Sequence, residues 1–358
     1  PVIVTGRINQ PQLAEQIIKE GQADLCGMTR AMIADPLMPE KASAGRLDDI
    51  RACIGCNQAC SGHGLHGFPV SCIQYPESGR ELEFSSKPPA KISRRVMVVG
   101  GGPAGLKAAA VAAQRGHRVT LFEREKNVGG QVLLAQRLPS RAEFGGLVTN
   151  LLRECELAGV DIVTGTEVTA PMIRRWAPEA LILATGGVPY VPVIEGGDEA
   201  QVLTAWQVLQ GGANVGASVV VAESKGDWIG PALADLLAAA GSRVRLCVSA
   251  PNPADTIQQY VRDLLVARAH SLGVEFIPYA RLFGVDSDTA YFQHTVSAEP
   301  IVCEDVDTLV LALGNQPVCE LENELDGFSG DMYLAGDCLS PRTAEEAVYE
   351  GLKAAMAL

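Results

Sequence analysis

The chain has 358 residues, with 42 acidic against 29 basic side chains and a formal net charge of −13. At about 150 residues per domain this length implies two to three domains, and the acidic balance argues against a nucleic-acid surface, which needs clustered Lys and Arg. A hydrophobic share of 47% excludes a disordered chain. No apolar run approaches the roughly 18 residues that span a bilayer, and no secretory leader pattern is present, so the expectation is a soluble, cytoplasmic protein without a membrane partner.

Residues 1–48 read as two strand–helix units. Residues 2–5 form a short apolar strand that ends at Gly6-Arg7. Pro11 then opens a helix with Leu13, Ile17 and Ile18 on one face, which Gly21 ends. Residues 24–28 form a second strand, with Thr29-Arg30 at its end. Two such units cannot cover both faces of a parallel sheet, and a closed (β/α) barrel needs eight, so this stretch is expected to be the end of something larger.

Residues 49–91 show little periodicity but carry Cys53, Cys56, Cys60 and Cys72. A disulfide framework would space its cysteines more widely, so the cluster reads as metal-binding. Four thiolates in a short, Gly-rich loop can wrap one tetrahedral ion or a cubane cluster, and spacing alone leaves zinc and iron–sulfur both open. His63 and His66 read as ordinary loop histidines. The remaining cysteines (Cys26, Cys155, Cys247, Cys303, Cys319 and Cys338) lie singly and read as inert thiols. Pro88-Pro89 marks a linker.

Residues 95–99 form a buried strand that runs into Gly100-x-Gly102-x-x-Gly105, then a helix to about Arg115 and a strand tipped by Glu123. The first glycine makes the tight turn, the second lets backbone approach a pyrophosphate, and the third allows close helix–strand packing. Glu123 is placed to accept from ribose hydroxyls, and Arg124 beside it reads more readily as a surface charge than as a 2′-phosphate ligand. A second strand–loop–helix–strand occupies 218–222, 230–240 and 244–248. Its loop, from Glu223 to Gly230, departs from the glycine pattern. Only Gly230 fits, Glu223 and Asp227 bring negative charge towards a pyrophosphate, and Trp228 is bulky. Late strands are expected at 309–313 and 333–335, and a last helix at 343–357.

Gly129-Gly130-Gln131, Ala184-Thr185-Gly186-Gly187 and Ala335-Gly336-Asp337, taken with the glycine triplet, resemble the two-dinucleotide-binding-domain flavoproteins. That resemblance implies FAD, or a bare adenine nucleotide such as ADP, held by Gly100, Gly102, Ala104, Gly105, Glu123, Arg124, Gly130, Gln131, Ala184, Thr185, Gly186 and Gly336. Asp337 would take the ribityl chain, and the helix starting near Thr343-Ala344 would point at the flavin.

Cys-Ile-Gly-Cys-Asn-Gln-Ala-Cys at 53–60, Cys-Ile-Gln-Tyr-Pro-Glu-Ser-Gly-Arg-Glu at 72–81, and Thr-Arg-Ala-Met-Ile-Ala-Asp-Pro at 29–36 resemble the iron–sulfur flavoprotein family of trimethylamine dehydrogenase and bacterial 2,4-dienoyl-CoA reductase. The resemblance covers essentially the whole chain. It implies a [4Fe–4S] cluster on the four cysteines, and FMN in an old-yellow-enzyme-type barrel with Gly6, Arg7, Thr29 and Arg30 at its phosphate. A phosphate over the last two βα loops is what such a barrel favours physically.

The implied fold is α/β: the end of a (β/α)8 barrel (1–48), a cysteine-cluster segment (49–91), and two Rossmann-like domains, with an FAD domain (92–212 and 306–358) split around a smaller one (213–305). The other six barrel strands, and with them the catalytic residues, are expected outside this sequence. The implied function is the C-terminal part of an amine dehydrogenase or N-demethylase that oxidises a small molecule and passes electrons to an external carrier such as an electron-transferring flavoprotein. The alternatives are an NAD(P)H-dependent enoate or dienoyl-CoA reductase, or an electron-transfer module docking on a separate barrel chain. Oligomeric state is open, a homo-oligomer included.

Overall fold

The computed structural model describes residues 1–84 and 86–358, which fall into two compact units. The first comprises Pro1–Leu133, Glu143–Gly187 and Pro317–Leu358. Its main sheet has five parallel strands in the order Asp331–Leu334, Ala180–Leu183, Arg95–Val99, Arg118–Phe122, Asp161–Val163. Ala180–Leu183 is buried along its whole length, as is Arg95–Val99 after its first residue. That burial on both faces explains why they read as continuous apolar runs rather than alternating ones. The Pro103–Gln114 helix follows the central strand, and Ala344–Met356 packs on it so closely that a Cβ on Gly351 would lie 2.3 Å from the Ala104 carbonyl oxygen.

At the start of the first unit, Ile3–Thr5 and Leu25–Gly27 pair in parallel, joined by the Pro11–Lys19 helix. Val2, Ile3 and Leu25 are exposed apolar side chains on this small sheet.

The second unit comprises Leu134–Ala142 and Val188–Gln316. Its five-stranded parallel sheet runs Glu275–Ile277, Arg243–Val248, Ser218–Glu223, Thr308–Ala312, Val202–Thr204. Alternate residues of Ser218–Glu223 enter two different cores: Val219 and Val221 pack with Leu233 and Leu237, and Val220 and Ala222 with Phe292 and Leu309. A three-stranded antiparallel sheet (Ala280–Val285, Ala290–His294, Pro300–Cys303) supplies that second core.

The division differs from the expected boundaries. The strand expected at 309–313 was grouped with the FAD domain, yet it pairs with Ser218–Glu223 and Val202–Thr204 in the second unit, which reaches from 188 to 316. A fully buried strand is apolar on both faces in either sheet, so its composition does not say which sheet it joins.

Candidate functional site

The cysteine segment is built around left-handed backbone at Gly55 (φ 63°) and Asn57 (φ 58°), which folds Cys53 and Cys56 back towards each other. Cys53, Cys56, Cys60 and Cys72 all border one small cavity, whose apolar wall is Ile54, Ala59 and Ile73. Backbone N–H groups point at three of the sulfurs: Gly55 at Cys53, Gln58 at Cys56, and Gln74 and Tyr75 at Cys72. Burial pushes the Cys56 thiol up to about 12 and Cys72 to about 11, and raises Cys53 as well. A bound cation would therefore have to displace protons, and the aimed amides favour the thiolates it needs. Among the described residues no three His, Cys, Asp or Glu side chains converge closely enough for a single metal ion.

Polar groups fix this loop in place. Asn9 Nδ2 donates to the Cys53 carbonyl (2.9 Å) and Gln74 Nε2 to that of Ala52 (2.7 Å). Behind Cys72 lies a buried ionic cluster that the sequence reading missed. Lys107, 1% exposed, reaches Glu77 at 3.1 Å and Glu154 at 3.2 Å, and Arg51 reaches Glu154 at 2.7 Å. Burial would raise the Glu154 carboxyl, but Lys107 and Arg51 outweigh it and hold it at about 2. The signal was available: a lone lysine inside the small-residue run Ala104–Ala113 sits where only a paired charge survives burial.

A second cavity of about 210 Å³ opens at the C-terminal ends of the two paired strands, bordered by Gly6, Arg7, Thr29 and Arg30. Gly6 (φ 126°) and Arg7 (φ 53°) make the turn at the first strand's end, and Arg30 Nη1 donates to Asn57 Oδ1 (2.5 Å). Arg7 pairs with Glu143 at 2.6 Å, well exposed. Cys53 and Arg30 border both cavities, so the two sites share a wall.

The glycine turn has the mechanics expected of it. A Cβ on Gly100 (φ 108°) would lie 2.2 Å from the Ala184 carbonyl oxygen, and one on Gly105 would lie 1.9 Å from that of Gly100. Both positions are forced by protein packing. A Cβ on Gly102 meets nothing within 4 Å, which leaves open space beside the helix N-terminus, and Gly130 (φ 53°) faces the Gly102 backbone.

Glu123 is buried and accepts from the N–H of Gly101 (2.6 Å) and of Glu125 (2.8 Å), while Arg124 pairs with Glu125 at the surface. Asp337 accepts from Gln131 Nε2 (2.7 Å), which joins two of the expected site residues. Gly336 (φ 78°) packs on Ala104, and Ala344 begins the last helix behind a Thr343/Glu346 capping box. Thr185 Oγ1 donates to the Val318 carbonyl, and Gly186 (φ 77°) lies open.

Comparison with known proteins decides the family. The pyridine nucleotide-disulphide oxidoreductase profile matches residues 94–351. The chain belongs to that family. Ahead of this oxidoreductase portion, residues 1–49 match the NADH:flavin oxidoreductase / NADH oxidase family. The two matches together point to a flavin enzyme.

Similar curated proteins are oxidoreductases. The metal reductase of Desulforamulus reducens is 34% identical, covering 99% of this chain and 57% of its own length. The NADH oxidase of Thermoanaerobacter brockii is 33% identical over 99% and 55%. The N,N-dimethylglycine/sarcosine dehydrogenase of Chromohalobacter salexigens is 30% identical over 99% and 57%.

Two solved structures superpose with a TM-score of 0.92. They are 2-naphthoyl-CoA reductase (29% identity, 100% of this chain and 54% of that one) and histamine dehydrogenase from Rhizobium sp. 4-9 (25% identity, 100% and 58%). This oxidoreductase chain thus spans a little over half the length of the curated relatives it matches. The order of the two family matches bears out the resemblance to the iron–sulfur flavoproteins drawn from the motifs. Among the described residues no helix is long and apolar enough to cross a membrane.

Proposed function

We propose that this chain is the C-terminal part of an FMN/[4Fe–4S]/FAD oxidoreductase of the amine dehydrogenase or N-demethylase kind. The observation that carries the reading is the shared wall. Cys53 and Arg30 border both the cysteine-lined cavity and the arginine-lined cavity, so a flavin phosphate end and a sulfur-ligated cluster would be direct neighbours. When bound, these groups would supply two-electron oxidation of a substrate C–N bond and one-electron relay to an external acceptor.

The chain's own residues have distinct tasks in this reading. Cys53, Cys56, Cys60 and Cys72 hold the cluster. The preference for a polynuclear cluster over a single zinc ion rests on the motif resemblance at 53–60 and 72–81. Gly6, Arg7, Thr29 and Arg30 receive the FMN phosphate, with Arg30 steadied by Asn57. The open face at Gly102 receives the pyrophosphate of FAD or ADP, together with Gly100, Ala104, Gly105, Gly130, Ala184, Thr185 and Gly186. Glu123, held by the Gly101 and Glu125 N–H groups and with Arg124 next to it, would take the ribose, and Asp337, tied to Gln131, would take the ribityl chain beside Gly336 and Ala344. The exposed apolar residues of the first two strands would be covered by the remaining barrel strands. Among the described residues none of the ten cysteines is in a disulfide, which suits the reducing cytoplasm.

Dimethylglycine/sarcosine dehydrogenase and histamine dehydrogenase among the similar proteins support an amine substrate. The likeness to an NADH oxidase supports the second reading, an NAD(P)H-dependent enoate or dienoyl-CoA reductase. One anaerobic experiment on the full-length protein separates them. A secondary or tertiary amine should bleach the flavin while NADH and NADPH leave it oxidised. Rapid bleaching by either nucleotide would overturn the amine reading in favour of the reductase.

A further inference from the structure

The second unit keeps the strand–turn–helix that normally cradles a dinucleotide, but fills the cradle from within. Glu223, the last residue of the Ser218–Glu223 strand, turns its side chain back under the loop. Its Oε1 accepts from the N–H of Lys225 and of Gly226, both at 2.5 Å. Asp227 Oδ1 accepts from the N–H of Ile229 (2.8 Å), the first residue of the Ile229–Ala239 helix. These amides occupy the place where a phosphate would be bound by backbone N–H groups at a helix N-terminus.

Gly230 has been put to another use too. A Cβ there would lie 2.3 Å from Glu223 Cγ, so the glycine makes room for the carboxyl stem. In the first unit the matching glycine, Gly105, makes room for the backbone of Gly100. Glu223 is 1% exposed, and its Oε2 is buried with no hydrogen-bond partner among the described residues. The loop is also locked from outside, since both the N–H (2.9 Å) and the hydroxyl (2.8 Å) of Thr256 donate to the Gly226 carbonyl. The Arg141 guanidinium lies over the Trp228 ring, 4.7 Å from its centre.

We propose that Glu223 is a built-in substitute for the dinucleotide phosphate, a specificity-determining residue that shuts nicotinamide nucleotides out of the second unit. This rests on the amine-oxidising reading and adds to it the group that enforces the choice of electron partner. It distinguishes occupancy of the amides from simple charge repulsion. Glu223→Gln keeps an oxygen acceptor on the same two N–H groups and loses the charge, whereas Glu223→Ala vacates the amides.

The test is calorimetric titration of the full-length protein and both variants with NADH and with inorganic pyrophosphate. The parent and E223Q should show no binding at millimolar ligand, and E223A should bind both ligands at least about tenfold more tightly. A folded E223A with no gain would overturn the proposal. E223Q binding as well as E223A would also overturn it, because repulsion rather than occupancy would then be the cause. Bleaching of the parent's flavin by NADH would instead sink the amine reading.

Hydrogen exchange on the parent gives an independent readout should E223A not fold. The Lys225 and Gly226 amides should be protected and indifferent to added NADH. Fast exchange, or protection gained only with NADH, would contradict the proposal.

Discussion

Two buried charged groups make opposite predictions about stability. Burial pushes Glu223 up from 4.5 to about 7, the N–H groups of Gly226 and Lys225 offsetting only part of that. A carboxyl raised in the folded state contributes stability that is fully present below pH 4.5 and is lost as pH rises through about 7. At 1.36 kcal/mol per pKa unit, Glu223→Gln should gain on the parent by roughly 2–3 kcal/mol between pH 5 and pH 8.5. Thermal melts of both proteins across that range check this, and a gap independent of pH would contradict it. Lys107 is the converse case. Lys107→Met removes the cation that Glu77 and Glu154 share and leaves them only Lys87 and Arg51, which should cost about 3 kcal/mol, the low end for breaking a buried pair, in chemical denaturation at neutral pH.

At the scale of elements, the glycine turn separates packing from ligand contact. Gly105→Val drives a side chain into the Gly100 carbonyl, so it should lower both the melting temperature and the bound FAD or ADP. Gly102→Val points into open space with an extended backbone (φ −74°, ψ 179°), so the fold should survive while the bound FAD or ADP is lost. Melting curves and the ratio of bound adenine nucleotide to protein on both variants decide the matter, and full adenine-nucleotide occupancy in Gly102→Val would contradict this placement of the nucleotide.

The turn was legible in the sequence because its chemistry is local: three glycines, a strand before and a helix after. The parallel strands were legible as apolar runs but not as members of one sheet or the other, since 309–313 looks alike in either. The Lys107–Glu154–Arg51 cluster was not foreseen, because its partners come from three separate segments and pair only once those segments pack. In the Glu223–Gly230 loop the misfit to a phosphate site was visible. The inward turn of the carboxyl was not, because it depends on the backbone path.

At the scale of the whole molecule, two sequence profiles met in order along one chain carry the family assignment, and the segment between them carries the cysteines. Cys53 and Arg30 stand in the walls of both cavities, and the proposed electron route rests on that placement. The most direct measurement is iron and acid-labile sulfide, determined on anaerobically purified full-length protein and on Cys56→Ser. The account predicts about four of each per parent chain and a large loss in the variant. Zinc without sulfide in the parent, or a protein colourless even after anaerobic reconstitution, would contradict it.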